Sequence, residues 1–248
     1  SDAGLAFDGQ LDFMLAETGT SIGFGTASGP PMLSVSQQAG WAGVFMAGIF
    51  YTEDDVWADP FVTGTARART DRETWGAVLG WEQADEGPFS VTYRVSGQDI
   101  ENDLSGKRDS HLRRDGRIHE LGLGVRLFEY GAHTLEASFS TVMADLDGDS
   151  YAHKGLGGGV SYSYDAGRWE FEAGLGLAAL EYDRTHPHFN KTREDFEVGT
   201  ESALTLHAPF GFENYFIRVF GSASLRDSNI GFYDAHLFTA GVGVGYAF

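Results

Sequence analysis

Large apolar residues recur at every second position through most of this chain, separated by small or polar ones. In 89–96, Phe89, Val91, Tyr93 and Val95 alternate with Ser90, Thr92, Arg94 and Ser96. In 169–177, Trp169, Phe171, Ala173, Leu175 and Leu177 alternate with Glu170, Glu172, Gly174 and Gly176. No segment keeps apolar residues at i, i+3, i+4 and i+7 for three turns. Period two means strands with two unlike faces. Thirteen such segments are predicted: 4–16, 19–27, 31–38, 41–52, 70–83, 88–99, 116–128, 132–145, 151–165, 168–183, 195–208, 213–227 and 236–248.

The connections alternate in kind. Short, turn-like ones fall at 84–87, 129–132, 165–168 and 209–212, and long charged ones at 53–69, 100–115, 184–194 and 227–235. That alternation predicts an all-β fold, a transmembrane antiparallel up-and-down β-barrel with tight periplasmic turns and long extracellular loops. The alternative is a soluble sandwich with core aromatics at its strand ends. Against it stands the minor face, which is mostly Gly, Ser, Thr and Ala with isolated Glu or Arg, short of the lysine a solvent face carries. Trp81, Phe89, Phe128, Tyr162, Tyr164, Trp169, Tyr215, Tyr246 and Phe248 all lie close to the short turns, as an interfacial girdle would. The last strand ends GVGVGYAF, with Phe248 terminal and Tyr246 two residues before it. It resembles the C-terminal assembly signal of Gram-negative outer-membrane barrels, which implies that the assembly machinery is a partner. Single-chain bacterial barrels have an even number of strands. Thirteen segments therefore predict fourteen strands natively, with an N-terminal strand absent from this chain, or twelve if one strand has been split.

Composition narrows the classes. The 248 residues carry a formal net charge of -19 and no cysteine, which excludes a disulfide scaffold and a thiolate metal site. Acidity argues against nucleic acid as a partner. No apolar run reaches the ~18–20 residues of a transmembrane helix, although a barrel strand needs none. The opening SDAGLAFDGQ is not a basic region followed by an apolar one, so the chain is expected to be mature, trimmed or cytosolic. With no linker or repeat visible, 1–248 is expected to be one barrel domain.

Four stretches resemble an uncharacterised outer-membrane β-barrel family of marine and related Gram-negative bacteria, a domain of unknown function. They are 56–64 (VWADPFVTG), 145–149 (DLDGD), 191–195 (KTRED) and 227–234 (DSNIGFYD). The last two are also similar, more faintly, to the barrel of the surface lipoprotein assembly modulators. The resemblance implies a fold and an outer-membrane location. Members begin with one further strand and a long loop, which fits the parity argument. No reaction, substrate or functional residue comes with it.

Candidate chemistry is sparse. No serine stands in a G-x-S-x-G turn, and the eight histidines lie mostly in or near connections, so no enzyme is expected. The pair His186 and His188 around Pro187 is the pattern of an ordinary loop as much as of a chelate. Asp145, Asp147 and Asp149 have the alternate oxygen ligands of a calcium loop but lack its distal Glu, and a tight hairpin explains them as well. No other cofactor is expected. Thirteen of the 17 Lys and Arg lie in or beside the long loops, where they suit the phosphates of lipopolysaccharide and other outer-membrane lipid as partners, a pore mouth, or simple solvation. Arg94, Arg126, Arg218, Glu82, Glu120, Glu136, Glu172 and Glu201 are expected to line the lumen, and Trp57 and Phe61 to constrict it from a loop. The function expected is an outer-membrane channel for passive diffusion of small polar or charged solutes. The alternative is a non-conducting barrel with an assembly, secretion or envelope-structural role.

Overall fold

A computed structural model describes residues 10–15, 17–25, 31–84 and 87–246. Thirteen strands form one antiparallel sheet, each paired with its neighbours in sequence. They are β1 (Gln10–Leu15), β2 (Thr20–Gly25), β3 (Met32–Gln38), β4 (Val44–Trp57), β5 (Arg69–Glu82), β6 (Phe89–Ile100), β7 (Gly116–Tyr130), β8 (His133–Leu146), β9 (His153–Asp165), β10 (Trp169–His186), β11 (Lys191–His207), β12 (Tyr215–Ser228) and β13 (Ala235–Tyr246). This is the strand arrangement of up-and-down transmembrane barrels. Segments 19–27 and 31–38 are separate strands, β2 and β3, each with its own ladder. Fusing them to make twelve is therefore excluded.

The chain divides into two compact units, 1–121 with 142–153, and 122–141 with 154–248. In the first, β4 and β5 run four to five residues past the end of the apolar alternation. They pair in unbroken register from Val44↔Glu82 to Trp57↔Arg69. The expected loop 53–69 shrinks to the connection 58–68, because Asp54 and Arg72 meet across the ladder at 3.0 Å. A short helix, α1 (Leu104–Arg108), sits in the connection after β6, where the strand pattern predicted none. Asp103 caps it by accepting the Gly106 N–H at 3.1 Å.

In the second unit the expected long loop 184–194 is a four-residue turn between β10 and β11. Asn190 takes φ 56° there, a left-handed conformation that Asn tolerates better than most residues. The ladder from Lys191 onward is closed by Asn229, which accepts the Glu194 N–H at 3.0 Å and donates to the Thr192 carbonyl at 2.9 Å.

Glycines on the minor face make room for aromatic rings. Phe216 and Phe220 on β12 lie over Gly245 and Gly241 of β13, so the face of the last strand that reads as empty is covered by its neighbour. In the first unit Phe50 lies over Gly76, where a Cβ would collide with the Val95 carbonyl oxygen and with the ring. Gly76→Ala is expected to destabilise the protein by roughly 1–3 kcal/mol through overpacking. Gly199→Ala, with nothing within 4 Å of its Cβ position, should be nearly silent. Urea unfolding of the two variants in lipid vesicles measures the difference.

Candidate functional site: the two faces of the sheet

Register assigns each strand residue to a face. In the first unit Phe45, Ile49 and Tyr51 of β4 share a face with Trp75 and Leu79 of β5 and with Tyr93 of β6. They are exposed, Ile49 by 61% and Leu79 by 55%. In the second unit Phe171, Leu177, Leu204, Val219 and Val242 form the equivalent face and are exposed too. Contiguous apolar area of this extent does not stand in water, and antiparallel strands presenting it belong in hydrocarbon. Polar tips near the short-turn end are satisfied: Trp81 Nε1 donates to the Ala42 carbonyl at 2.7 Å, and the Tyr162 hydroxyl meets His133 Nδ1 at 2.7 Å. Phe128 departs from the expected girdle, because it shares the parity of Arg126 on the other face. Strands with one such face are those of an outer-membrane-type β-barrel.

The minor face carries the charges. In the first unit Arg94 lies 3.7 Å from Glu120, with its guanidinium over the Phe50 ring at 4.4 Å. Glu82 ends β5 on the same parity as Gly80. In the second unit Arg126 reaches Glu129 at 2.9 Å and Glu136 at 3.7 Å, and Arg218 reaches Glu172 at 2.5 Å. Glu201 stands between Gly174 and Ser222 in the register. All eight residues expected to line a lumen therefore fall on one type of face. The alternation did not single out Arg72–Asp54, Arg226–Glu197 at 2.5 Å, or His207, which stands 3.4 Å from Glu170. Their signal is a period of two that persists in charged residues beyond the apolar run. These pairs are partly exposed, so each adds only about 0–1 kcal/mol to stability. Their main effect is to cancel charge.

Trp57 is not a loop residue. It ends β4 with the parity of Tyr51, on the apolar face, and Arg67 and Arg69 stack on its ring at 3.5 and 4.5 Å. It does not project from a loop onto the minor face, as expected of a constriction. Phe61 lies half-buried in the 58–68 connection, its N–H donating to Asp59 Oδ1 at 3.0 Å. Tyr246 closes β13 opposite Tyr215. Its side chain and the whole of Phe248 lie outside the described residues.

The ends of the strands away from the short turns are built, not loose. In the first unit Asp103 is buried and accepts from Ser105 Oγ at 2.7 Å and from Arg114 at 2.8 Å. Arg114 also donates to the Trp57 and Ala58 carbonyls at 2.9 and 3.1 Å, and Arg108 pairs with Asp59. Burial alone would raise the Asp103 pKa, but hydrogen bonds from Arg114, Ser105 and Gly106 outweigh it and hold the carboxyl below its ordinary value. A lowered acid contributes stability above its unfolded pKa of about 3.9 and loses it as pH falls through the folded value. Asp115 runs the other way: burial, then Asp99, Asp103 and Asp147, raise its pKa, a cost that vanishes on acidification. Through Asp103, segments 58–68 and 101–115 are expected to resist proteolysis at neutral pH and to become more cleavable by an acid protease as the pH falls below the ordinary carboxylate range, Asp115 working against that loss. In Asp103→Ala they should be cleavable at pH 7.

Asp145, Asp147 and Asp149 do not converge. Asp149 pairs with His111 at 2.9 Å, the Asp147 N–H donates to the Asp115 carbonyl at 2.8 Å, and Gly148 packs on the Arg113 backbone. Among the described residues no group of three acids or histidines is placed to hold a metal ion. His186 and His188 do not form a chelate either. The His188 N–H donates to His186 Nδ1 at 3.2 Å, which leaves Nε2 as the protonated nitrogen facing the Tyr233 hydroxyl at 2.9 Å. Around them Arg193 stacks on Tyr182 and Tyr233 at 4.4 and 3.6 Å and pairs with the fully buried Asp195.

The comparison with curated proteins gives no match. Among solved structures, the chain is similar to OmpTdeltaL8, a loop L8 deletion mutant of OmpT, an outer membrane protein of Vibrio cholerae. The TM-score is 0.46 at 10% identity, over 96% of this chain and 89% of that one. It is also similar to OccK10 (OpdN) of Pseudomonas aeruginosa, with a TM-score of 0.39 at 13% identity over 92% and 80%. The motif stretches that build the strand-end clusters and the alternation between them fall inside one family model, matched over residues 7–247: the chain belongs to the family of proteins of unknown function DUF2860.

Proposed function

We propose that this protein is a narrow outer-membrane channel for passive diffusion of small polar or charged solutes. The observation that carries the reading is the minor face of the second unit. A packed interior would fill that face with large side chains. Here Ser138, Gly157, Gly174, Gly199 and Ser224 leave a concavity of about 580 Å³. Its two acidic residues meet water, Glu201 openly and Glu197 in part while paired with Arg226, as hydrated groups do and as buried unpaired charges do not. Proteoliposomes test the reading. Vesicles holding the protein should swell in iso-osmotic solutions of small neutral and charged solutes at rates that fall with solute size. Swelling no faster than in protein-free vesicles would contradict it.

A second reading is a non-conducting barrel acting in assembly, secretion or envelope structure. It is favoured by the hydrogen-bonded clusters around Asp103 and Asp195, which give the far ends of the strands a fixed surface. In either case the cations there, Arg67 and Arg69 on Trp57 among them, suit the phosphates of lipopolysaccharide.

A further inference from the structure

The strand arginines of the minor face come with their own carboxylates. In the first unit these are Arg72 with Asp54 and Arg94 with Glu120. In the second they are Arg126 with Glu136, Arg218 with Glu172, and Arg226 with Glu197. Each pair is close to neutral as a unit. What such a face does to a passing ion depends on the charges left over.

The register of β10 to β13 shows where a leftover charge lies. The row Glu172↔Ala203↔Phe220 has the Arg218 pair beside it, and the row Ala178↔Glu197↔Arg226 carries the other pair. Between these two rows the positions are Gly174↔Glu201↔Ser222 and Gly176↔Gly199↔Ser224. In this belt Glu201 is the one acidic or basic side chain, and among the described residues it has no ion-pair partner. It lies across Gly174, where an added Cβ would come within 3.0 Å of it. The surrounding small residues belong to the concavity of about 580 Å³, within the ~300–1,000 Å³ of small-molecule sites. Glu82 is also unbalanced, but it ends its strand beside a short turn. Glu170 shares its charge with His207 at 3.4 Å.

The geometry points to Glu201 as the specificity-determining residue: its uncompensated carboxylate, at the middle of an otherwise neutral and uncrowded face, makes the pathway prefer cations, inorganic ones and small ammonium ions alike. This inference rests on the channel reading above. The glycines and serines bring no competing ion and leave room for a hydrated guest beside the carboxylate. One fixed charge acts here as a selectivity element in the way charged side chains do in other pores.

The test is the reversal potential of the reconstituted protein under a potassium chloride gradient, for the wild type, Glu201→Gln, Glu201→Asp and Glu201→Ser. The wild type should be cation-selective. E201Q and E201S should lower the cation-to-anion permeability ratio by about two- to five-fold, the weight of one unit charge near contact in bulk water. E201D should keep the wild-type ratio to within about two-fold. Serine matches the residues around the site, so E201S reads the same charge loss should the amide variant fail to insert. Conduction by E201Q and E201S at the wild-type ratio would overturn the role of Glu201 and leave the channel standing. A wild type that does not conduct would overturn both.

Discussion

Asp195→Ala is expected to cost about 3–5 kcal/mol of folding free energy, the usual consequence of leaving one partner of a buried ion pair uncompensated. The Asp195 carboxylate is fully buried, and the Arg193 side chain is 6% exposed. Arg193 Nε donates to Asp195 Oδ1 at 2.9 Å, the Tyr182 hydroxyl to Oδ2 at 3.4 Å, and Arg226 stands 3.8 Å away. Removing the carboxylate strands a guanidinium stacked between two tyrosines and 6% exposed. The matched control is Asp54→Ala, which breaks an exposed pair with Arg72 and should cost no more than about 1 kcal/mol. Urea unfolding in lipid vesicles reads both. A loss at Asp195 as small as at Asp54 would mean that the cluster does not hold the end of the sheet together.

The second large effect is electrical. Replacing Arg94, Arg126 and Arg218 together by glutamine leaves Glu120, Glu136 and Glu172 without their partners. Three cancelled charges become three negative ones. The cation-to-anion permeability ratio should rise by about ten-fold or more, because each unit charge near contact is worth up to about five-fold in bulk water and three are uncovered together. The reversal potential should move toward the cation limit. An unchanged reversal potential in a conducting variant would mean that these residues do not face the solute path.

The strands were legible because period two survives in the chain wherever one face meets an apolar medium. Leu175, Leu177, Val219 and Val242 announce their face without any knowledge of partners. The tops of β4, β10 and β11 were not legible by apolar alternation. There Thr52, Asp54, Arg72 and Arg193 keep the register through hydrogen bonds and charge, which hydropathy cannot see. Trp57 reads as a loop residue for the same reason, since the strand beneath it runs through Glu53, Asp54 and Asp55. The charges of the minor face were legible as a set, from their alternation with large apolar residues. Their pairing was not, because it depends on the stagger between strands that lie far apart in sequence, as Arg218 and Glu172 do. The four stretches by which the family is recognised turn out to include cluster residues: Trp57 and Asp59 around Arg114 and Arg108, Gly148 against Arg113, and Arg193 and Asp195 beside Tyr233. Read as motifs, two of them suggested calcium or a loop constriction. In the fold they hold the strand ends together.

A minor face that is a path for solutes must carry current, which single-channel recording of the purified protein in a planar bilayer reads, with the reversal potential taken under a salt gradient. Discrete conductance steps are expected, with a reversal potential on the cation side. A silent bilayer containing correctly folded protein would contradict this, and would turn attention to the fixed surfaces around Asp103 and Asp195 and the partner they bind.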